Sequence, residues 1–455
     1  MNWLVERFRA HAKALAFVHN DRKVTYGELA EQIAAFGSRV RKAGVDRGNK
    51  VVVIGDFSPE AFALILALGL EGCVVIPLSR QSVIEEGVAL SISGSDWQAE
   101  FSSGGRDFNL EAKLVPVEND LLDNFLKKGK AGLILFSSGS TGTPKGILHN
   151  FEQVTEKFRS QRSPMVTIPF LMIDHFGGIN TILAITSSLG TVVTVDDRSI
   201  AKVASAIERY RVELLPVTPS FLNLLLMMRA HEKFDLSSIK RITNGTEGMP
   251  QVTLDRLITA FPGVQLQQTY GLSEVGVLRS QSRADGSLWV RLGGDGFQTQ
   301  VRDDVLWIKS EYRMEGYLNA SSGFDADGWF NTQDRVEVDG EWFKIIGRVT
   351  DIINVGGQKV YPAEVEEVIL GLDNIDDVAV YGEPHKMLGH IVVAKIRILE
   401  PEDPDALKRR VRIACRASLN DYKAPAKVIV STESFNSVRH KKVRKSDALN
   451  SGFKQ

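Results

Sequence analysis

The sequence predicts an α/β fold: a large N-terminal domain of layered α/β subdomains and a small α+β C-terminal domain. At 455 residues the chain is longer than one hydrophobic core usually supports. Between about residues 50 and 308, short apolar runs alternate with longer helix-like segments, as they do in α/β sheets. After about residue 348 the pattern changes to a compact unit. We therefore expect domains at residues 1–348 and 349–455.

Four apolar runs are predicted to be strands of the N-terminal domain: residues 51–54, 133–136, 191–195 and 213–217. Residues 61–78 are interrupted by Gly69, Glu71 and Pro77, so they predict a buried helix followed by a strand rather than a membrane span. Pro219, after Thr218, fits the first turn of a helix that follows the last run. Ligands of open α/β sheets tend to bind at such strand-to-helix junctions.

The C-terminal unit has the pattern of a small α+β domain. Its predicted elements are helices at residues 363–370 and 405–419 and strands near 377–381 and 391–398. Glu364, Glu366 and Glu367 stand near the start of the first helix, where the helix dipole favours carboxylates. We interpret these glutamates as a solvated helix face.

Composition excludes several classes of protein. Hydrophobic residues at 43% and charged residues at 24% are typical of a globular chain. The 55 basic and 56 acidic side chains give no global field that would gather nucleic acid. Cys73 and Cys415 lack the spacing of a disulfide framework or zinc site, and the N-terminus lacks a secretion signal. We expect a cytoplasmic protein without a membrane span, either a monomer or a homodimer.

The strongest local signal is Ser-Ser-Gly-Ser-Thr-Gly-Thr-Pro-Lys-Gly at residues 137–146, directly after a predicted strand. Glycines let backbone N–H groups approach an anion, and the hydroxyls and Lys145 add donors and a positive charge. A Walker A loop has glycine before its lysine and Ser or Thr after it. Here Pro144 and Gly146 occupy those positions, so the segment is a phosphate loop of another kind.

This loop closely resembles the signature of the adenylate-forming superfamily, which contains acyl-CoA synthetases, adenylation domains of peptide synthetases and beetle luciferases. Five further segments resemble motifs of that family in the same order: residues 24–29, 268–274, 334 with 346–348, 354–366, and 442–445. The resemblance implies an ATP-dependent enzyme that activates a carboxylic acid as its acyl-adenylate, releases pyrophosphate and passes the acyl group to a thiol.

The resemblance implies how ATP is bound. The β- and γ-phosphates are expected at the loop residues Ser137, Ser138, Gly139, Ser140, Thr141, Gly142 and Lys145. Glu274 is expected to bind Mg²⁺, a hard cation that prefers oxygen ligands. The adenine is expected at Asn244, Gly245 and Thr246 and at Tyr270, Gly271 and Ser273.

Asp334 is expected to accept hydrogen bonds from both ribose hydroxyls, with Ile346 and Arg348 beside it. In the family this aspartate usually follows Thr-Gly, whereas here Gln333 precedes it.

Family members rotate the C-terminal domain between two half-reactions, so that domain is expected to be mobile. Lys442 is expected to bridge the carboxylate and the α-phosphate during adenylation. The family usually has glycine directly before this lysine, whereas here Lys441 precedes it, so Lys441 is the alternative candidate. The pivot position holds Thr350 instead of the common aspartate or lysine. Gly356 and Gly357 are expected to line the tunnel for a pantetheine arm, and the alternative is that they simply form a turn.

His175 resembles the histidine at the wall of the acyl pocket, where it would be a catalytic residue. Amino-acid-activating relatives have aspartate directly after this point; Phe176 holds that place here, so a plain acyl or aryl acid is favoured. If the alignment is shifted by two residues, Asp174 takes the position of that aspartate. The short stretch before the phosphate loop is shared with o-succinylbenzoate–CoA ligase and indicates a small acid.

The thiol is predicted to be CoA. The alternative is the phosphopantetheine of an acyl carrier protein, loaded by a standalone adenylation enzyme. A catalytically inactive homologue is the third class, and the intact set of Lys145, Glu274, Asp334 and Lys442 argues against it.

Overall fold

The computed structural model describes residues 1–82, 84–102, 105–137 and 144–431. Its helices are α1 Asn2–Ala10, α2 Tyr26–Lys42, α3 Pro59–Leu70, α4 Glu86–Ser93, α5 Asp120–Lys127, α6 Phe151–Glu156, α7 Phe176–Ser187, α8 Ile200–Tyr210, α9 Pro219–Met227, α10 Ala230–Lys233, α11 Gln251–Ala260, α12 Pro362–Leu370 and α13 Pro404–Ser418. Short 3₁₀ turns lie at Val349–Asp351 and Asp421–Lys423.

The strands of the N-terminal part are β1 Leu15–His19, β2 Arg22–Thr25, β3 Lys50–Ile54, β4 Val74–Leu78, β5 Ser95–Phe101, β6 Phe108–Val115, β7 Gly132–Ser137, β8 Lys145–Asn150, β9 Val166–Thr167, β10 Thr191–Val193, β11 Leu214–Val217, β12 Arg241–Asn244, β13 Gln265–Gln268, β14 Gly271–Leu272, β15 Gly276–Val277, β16 Arg279–Ser282, β17 Val290–Gly293, β18 Phe297–Arg302, β19 Val305–Ser310, β20 Gly316–Tyr317, β21 Phe330–Asp339 and β22 Trp342–Arg348. The C-terminal part contains β23 Ile353–Val355, β24 Gln358–Val360, β25 Ile375–His385, β26 Gly389–Ile398 and β27 Lys427–Val430.

Two seven-stranded sheets form the layered part of the molecule. One has the order β20-β8-β7-β4-β3-β5-β6 and the other the order β13-β12-β11-β9-β10-β1-β2, with parallel pairs at the centre of each. One apolar cluster joins α3 and α7 to residues of both sheets, such as Val51 and Phe17. Helix α3 is apolar around nearly its whole circumference, as a helix buried on all sides must be. This arrangement confirms the predicted α/β class.

A third sheet, antiparallel with the order β16-β17-β22-β21-β19-β18, follows the layered part. Its own apolar core includes Leu306, Ile308 and Val336. The β21–β22 pair places Asp334 directly opposite Arg348. This register brings together two residues that are fourteen positions apart and that the sequence analysis assigned to one site.

The C-terminal unit is built from β24-β23-β26-β25, with β27 parallel to β26, and its core includes residues of α12 and α13. It contacts the layered part through α12. The Glu367 carboxylate accepts hydrogen bonds from the backbone N–H groups of Gln251 and Val252, both at 2.8 Å. Pro250 at the N-cap of α11 offers no side-chain cap, so Glu367 satisfies that helix end from the other unit.

The interpretation of the α12 glutamates as a solvated face is wrong for two of the three. Glu366 is buried and accepts a hydrogen bond from the Val380 backbone N–H at 3.0 Å. Glu367 contacts α11 as described, and Glu364 forms an ion pair with Lys423. Sequence spacing identified the helix but could not show that strand β25 and helix α11 would cover it.

Both cysteines are buried thiols, and burial raises the pKa of Cys73 to about 12 and that of Cys415 to about 11. Within the described ranges, no helix combines the length and the apolar character that crossing a membrane requires.

Candidate active site

The two ends of the phosphate loop meet in a β-hairpin. Ser137 at the end of β7 lies opposite Lys145 at the start of β8. The antiparallel pairing fixes the lysine at the mouth of the loop. Ser138, Gly139, Ser140, Thr141 and Gly142 were assigned to phosphate binding and lie outside the described residues.

Lys145 and Glu274 are linked through Tyr317. The Lys145 ammonium lies 4.9 Å from the centre of the Tyr317 ring, and the Tyr317 hydroxyl donates a hydrogen bond to Glu274 Oε1 at 2.6 Å. Strand β20 holds Tyr317 here because it pairs with β8. Burial, then the Glu274 charge, raises the pKa of the Tyr317 hydroxyl, so it remains a donor. A cation and a carboxylate thus both contact the side chain of Tyr317.

Asn319 fixes the backbone on both sides of Lys145. Its side-chain amide donates to the Pro144 carbonyl at 2.8 Å, and its Oδ1 accepts from the Gly146 N–H at 3.0 Å. A side chain that binds both flanking peptides restricts the position of the residue between them. Asn319 is therefore a positioning residue for Lys145.

We expect Asn319→Ala to lower kcat/KM for ATP about tenfold, because a displaced cation stabilises the transition state poorly. Single-turnover pyrophosphate release measures the effect, and thermal melting shows whether folding is intact. Asn319→Asp keeps the acceptor for the Gly146 N–H but not the donor for the Pro144 carbonyl, so its kcat/KM should lie between those of the native protein and Asn319→Ala. Asn109→Ala on exposed β6 is the matched control. Equal rates for Asn319→Ala and the control would contradict the positioning role.

Asp334 lies at the centre of a polar cluster. Its Oδ2 accepts a hydrogen bond from the Tyr270 hydroxyl, and its Oδ1 accepts one from Arg348 Nε at 3.3 Å. The Asp334 side chain is only 9% exposed, whereas that of Arg348 is 45% exposed. Burial raises the pKa of Asp334, and Arg348 and Tyr270 oppose that shift. Each carboxylate oxygen has a second lone pair, so the group can still accept bonds from a ligand.

Arg348 connects this cluster with the phosphate side of the site. Its pKa is raised: burial would lower it, but Asp334, Tyr270, Asp351 and Glu274 outweigh that effect. Glu274 and Tyr270 belong to one short segment, so the two clusters are neighbours along the chain as well. A ligand with a hydroxylated sugar and phosphates fits this arrangement.

Gln333 has a left-handed backbone conformation, with φ at +62°. This observation explains why relatives carry glycine directly before the aspartate, since glycine adopts positive φ without strain. The turn keeps its hydrogen bonds from the Gln333 N–H to Asn331 Oδ1 and from the Asp334 N–H to Thr332 Oγ1. The departure from the family pattern therefore leaves Asp334 in place at a conformational cost.

We expect Gln333→Gly to raise the free energy of unfolding by about 0.5–1 kcal/mol, because relief of the strained φ outweighs the added entropy of the unfolded chain. Gln333→Val should lower it, since a β-branched residue tolerates positive φ poorly. Thermal melting of both variants tests this pair. A shift of both melting temperatures in the same direction would contradict the strain argument.

The residues expected at the adenine surround the ends of β12 and β13. Asn244 is buried, and its carbonyl accepts a hydrogen bond from Thr269 Oγ1 at 2.8 Å. A Cβ atom on Gly245 would lie 2.4 Å from that hydroxyl, so only glycine fits there. Thr246 has φ at +70°, which is rare for a β-branched residue, and such strain often marks functional sites.

Gly271 and Ser273 belong to the segment from Tyr270 to Glu274. A Cβ atom on Gly271 would lie 2.6 Å from the Val277 Cα atom on the paired strand. Ile346 is partly exposed on β22, two residues before Arg348.

His175 caps the N-terminus of α7, where its Nδ1 accepts a hydrogen bond from the Gly177 N–H at 3.0 Å. Phe176 is buried and packs on His149, with 4.9 Å between ring centroids. Asp174 is buried and accepts a hydrogen bond from Ser79 Oγ at 3.3 Å. His175 and Phe176 thus stand at the start of α7.

Gly356 and Gly357 form the two-residue turn of the β23–β24 hairpin, with φ at +58° and +86°. Both are exposed, and a Cβ atom on Gly357 would meet nothing within 4 Å. This is the turn that sequence reasoning kept as the alternative to a tunnel role. Thr350 lies in the 3₁₀ turn directly after β22. Lys441 and Lys442 lie outside the described residues.

Sequence reasoning missed Tyr317 and Asn319. Each is a single polar residue in the short segment after β19, without a local pattern that marks it. Their roles arise from the pairing of β20 with β8, a contact across about 170 residues.

Two family models match the chain. A family model described as "AMP-binding enzyme" matches residues 4–294, and one described as "AMP-binding enzyme C-terminal domain" matches residues 364–442. The chain is similar to feruloyl-CoA synthase of Amycolatopsis sp., at 27% identity over 94% of each protein. It is 25% identical to 2-succinylbenzoate–CoA ligase of Listeria monocytogenes, over 94% of this chain and 95% of that protein.

Among solved structures, an anthranilate CoA ligase in complex with anthranoyl-AMP shares the fold, with a TM-score of 0.83 at 19% identity over 98% of this chain and 96% of that one.

Proposed function

Because the chain belongs to the family of AMP-binding enzymes, we propose that it is an AMP-forming acid–thiol ligase. It joins a carboxylic acid to the α-phosphate of ATP, releases pyrophosphate, and transfers the acyl group to CoA with release of AMP. The observation that carries this proposal is the buried Asp334 carboxylate held between Tyr270 and Arg348, next to the Lys145–Tyr317–Glu274 cluster.

Asp334 binds the ribose in this proposal. In its ionised form its oxygens are acceptors only, so they suit the two hydroxyls of a ribose and repel a phosphate. Tyr270 and Arg348 orient the carboxylate, and Asn244, Gly245 and Thr246 lie where the purine extends from it. Glycine is required at position 245 because Thr269 leaves no room for a side chain there.

The phosphates lie between the loop and Glu274. Lys145 neutralises charge as pyrophosphate leaves, the kind of stabilisation that dominates phosphoryl-group chemistry. Glu274 suits Mg²⁺, which usually takes one or two protein carboxylates and completes its shell with phosphate oxygens and water. In the described part of the chain, no group of three or more His, Cys, Asp or Glu side chains could by itself hold a metal ion. Mg²⁺ would supply charge neutralisation there.

The acid lies between His175 at the start of α7 and the Thr246–Tyr270 side. Phe176 gives this wall an aromatic surface, which supports an aryl or acyl acid over an α-amino acid. The relatives named above act on feruloyl and succinylbenzoate groups as CoA ligases, which supports CoA over a carrier protein as the acceptor.

The C-terminal unit, proposed here as a domain from residue 349, supplies Lys442 for adenylation and the Gly356–Gly357 turn for the thiol step. In the structure the turn is exposed and Glu367 binds α11. A rotation that brings the turn to the acid would have to release Glu367 from α11. Thr350, directly after β22, is the proposed pivot.

Pyrophosphate release over a panel of carboxylic acids, with CoA and separately with a holo carrier protein, tests the proposal. We expect acid-dependent release and an acyl-CoA product with at least one small acyl or aryl acid. Conversion of ATP to ADP, or no ATP turnover with any acid, would overturn the proposal. A thioester product formed only with the carrier protein would identify that protein, rather than CoA, as the acceptor.

A further inference from the structure

Lys157 follows α6, and its ammonium bridges two elements of the proposed acid site. The Nζ atom donates to Asn180 Oδ1 on α7 at 3.0 Å and to the Val277 carbonyl on β15. Asn180 lies one turn beyond Phe176, so both are on the same face of α7. Val277 is paired with Gly271, next to Tyr270. Lys157 therefore stands where the helix that begins at His175 meets the strands that carry the nucleotide residues.

Aromatic rings surround the Lys157 ammonium. A Cβ atom on Gly276 would lie 3.9 Å from the Phe176 ring and 3.8 Å from the Phe297 ring. The Lys157 ammonium lies 5.7 Å from the centre of the Phe297 ring and 5.4 Å from that of Phe158. The ammonium thus has an apolar, aromatic environment with two neutral oxygen acceptors.

Lys157 has no counter-ion within the described residues: no carboxylate forms an ion pair with it, and the one charged group acting on it is Arg162. Burial, and then the charge of Arg162, lowers the pKa of Lys157 to about 7. Buried ammonium groups are ordinarily paired with an anion, because neutral acceptors and aromatic faces replace only part of their hydration. A ligand anion would supply the missing charge.

Further positive charge extends outward from Lys157. Burial, then Arg279 and Arg241, lowers the pKa of Arg162. Over the ranges that the structure covers, none of these three arginines forms an ion pair with a carboxylate. Clustered charges of one sign raise the local concentration of the opposite ion. The cluster therefore favours an anionic ligand at Lys157.

We propose that Lys157, assisted by Asn180, binds a second anionic group of the acid substrate, remote from the carboxylate that is activated. The preferred substrates are then dicarboxylic acids. This inference rests on the proposed function, since it assigns a substrate class to the same site. The Asn180 Oδ1 is taken by Lys157, and its amide nitrogen supplies a second donor to the anion.

The test is acid-dependent ATP–pyrophosphate exchange without CoA, using adipate, suberate and terephthalate, each beside its monomethyl ester. The ester keeps the shape and removes one charge. We expect kcat/KM at least tenfold higher for the best diacid than for its ester. Equal values for all three pairs would overturn the inference.

Lys157→Met should lower kcat/KM for the diacid about 10- to 100-fold, the usual effect of losing a hydrogen bond to a charged group, and change it less than about twofold for the ester. Lys157→Arg should restore part of the preference. Lys130→Met, at a partly exposed lysine paired with Glu152, is the control. An equal loss for diacid and ester in Lys157→Met would indicate a structural role and overturn the proposal.

The preference should also depend on pH. Below about pH 7 the Lys157 ammonium keeps its proton and attracts the second carboxylate; above it the free enzyme loses that charge. The ratio of diacid to ester kcat/KM should therefore fall between pH 6 and 8.5. The charged group that faces Lys157 is Arg162, while Asn180, Val277 and Phe297 from the packed elements are neutral. A ratio that stays constant would contradict the inference.

Two other outcomes separate this inference from its premise. If no acid or ester supports exchange, the proposed ligase function fails as well. If esters work and Lys157→Met leaves exchange unchanged but raises KM for CoA, the bound anion is a phosphate of CoA, and the dicarboxylate inference is wrong while the ligase function stands.

Discussion

Lys442→Ala is expected to reduce acyl-adenylate formation about 100- to 1,000-fold while leaving the thiol step intact. The reacting carboxylate and the α-phosphate are both anions, and a placed cation that stabilises their transition state is commonly worth about 3–4 kcal/mol. The thiol step starts from a finished adenylate, so it has no need of this cation. ATP–pyrophosphate exchange measures the first half-reaction, and CoA consumption with synthetic acyl-adenylate measures the second.

Lys441→Ala is the matched control, because it removes a neighbouring lysine of the same basic run. If Lys441→Ala abolishes exchange and Lys442→Ala does not, Lys441 is the lysine that acts in adenylation. If both variants retain full exchange, the proposed role of this lysine pair is wrong.

Asp334→Asn is expected to lower kcat/KM for ATP about 100- to 1,000-fold. The amide has nearly the same shape, but it loses the charge that strengthens each ribose hydrogen bond by about 1.5–3 kcal/mol. It also places a donor group beside the Tyr270 hydroxyl or the Arg348 guanidinium, which both donate to the native carboxylate. Asp339→Asn, at the exposed end of the same strand, is the control.

2′-Deoxy-ATP distinguishes ribose binding from a structural role of Asp334. The native protein should use it much less efficiently than ATP, whereas Asp334→Asn should discriminate little, because both changes remove the same interaction. If the variant retains the full discrimination between the two nucleotides, Asp334 does not bind the 2′-hydroxyl.

The fold was predictable where local pattern determines structure. The apolar runs became β3, β7, β10 and β11, and Thr218 and Pro219 begin α9 as expected. Motif strings identified the residues that we propose bind ATP, because each string is short and lies on one element or turn. The pairing of Asp334 with Arg348 follows from the register of one hairpin, so nearby sequence encodes it.

Contacts between distant segments were not predictable. Tyr317 and Asn319 reach Glu274 and the ends of the phosphate loop only because β20 pairs with β8. Glu366 and Glu367 have the sequence pattern of a solvated helix face, yet β25 and α11 cover them. The sequence likewise shows a mismatch at Gln333, but the positive φ that explains it is visible only in the structure. Lys157 gave no sequence signal, because its significance is that no carboxylate among the described residues forms an ion pair with it.

The central claim is that the carboxylate of the substrate attacks the α-phosphate of ATP. An acid labelled with ¹⁸O in its carboxylate, turned over with ATP and CoA, tests this directly by mass spectrometry of the products. The account predicts one ¹⁸O atom in the phosphate of AMP. Unlabelled AMP, or label in inorganic phosphate together with ADP, would contradict it.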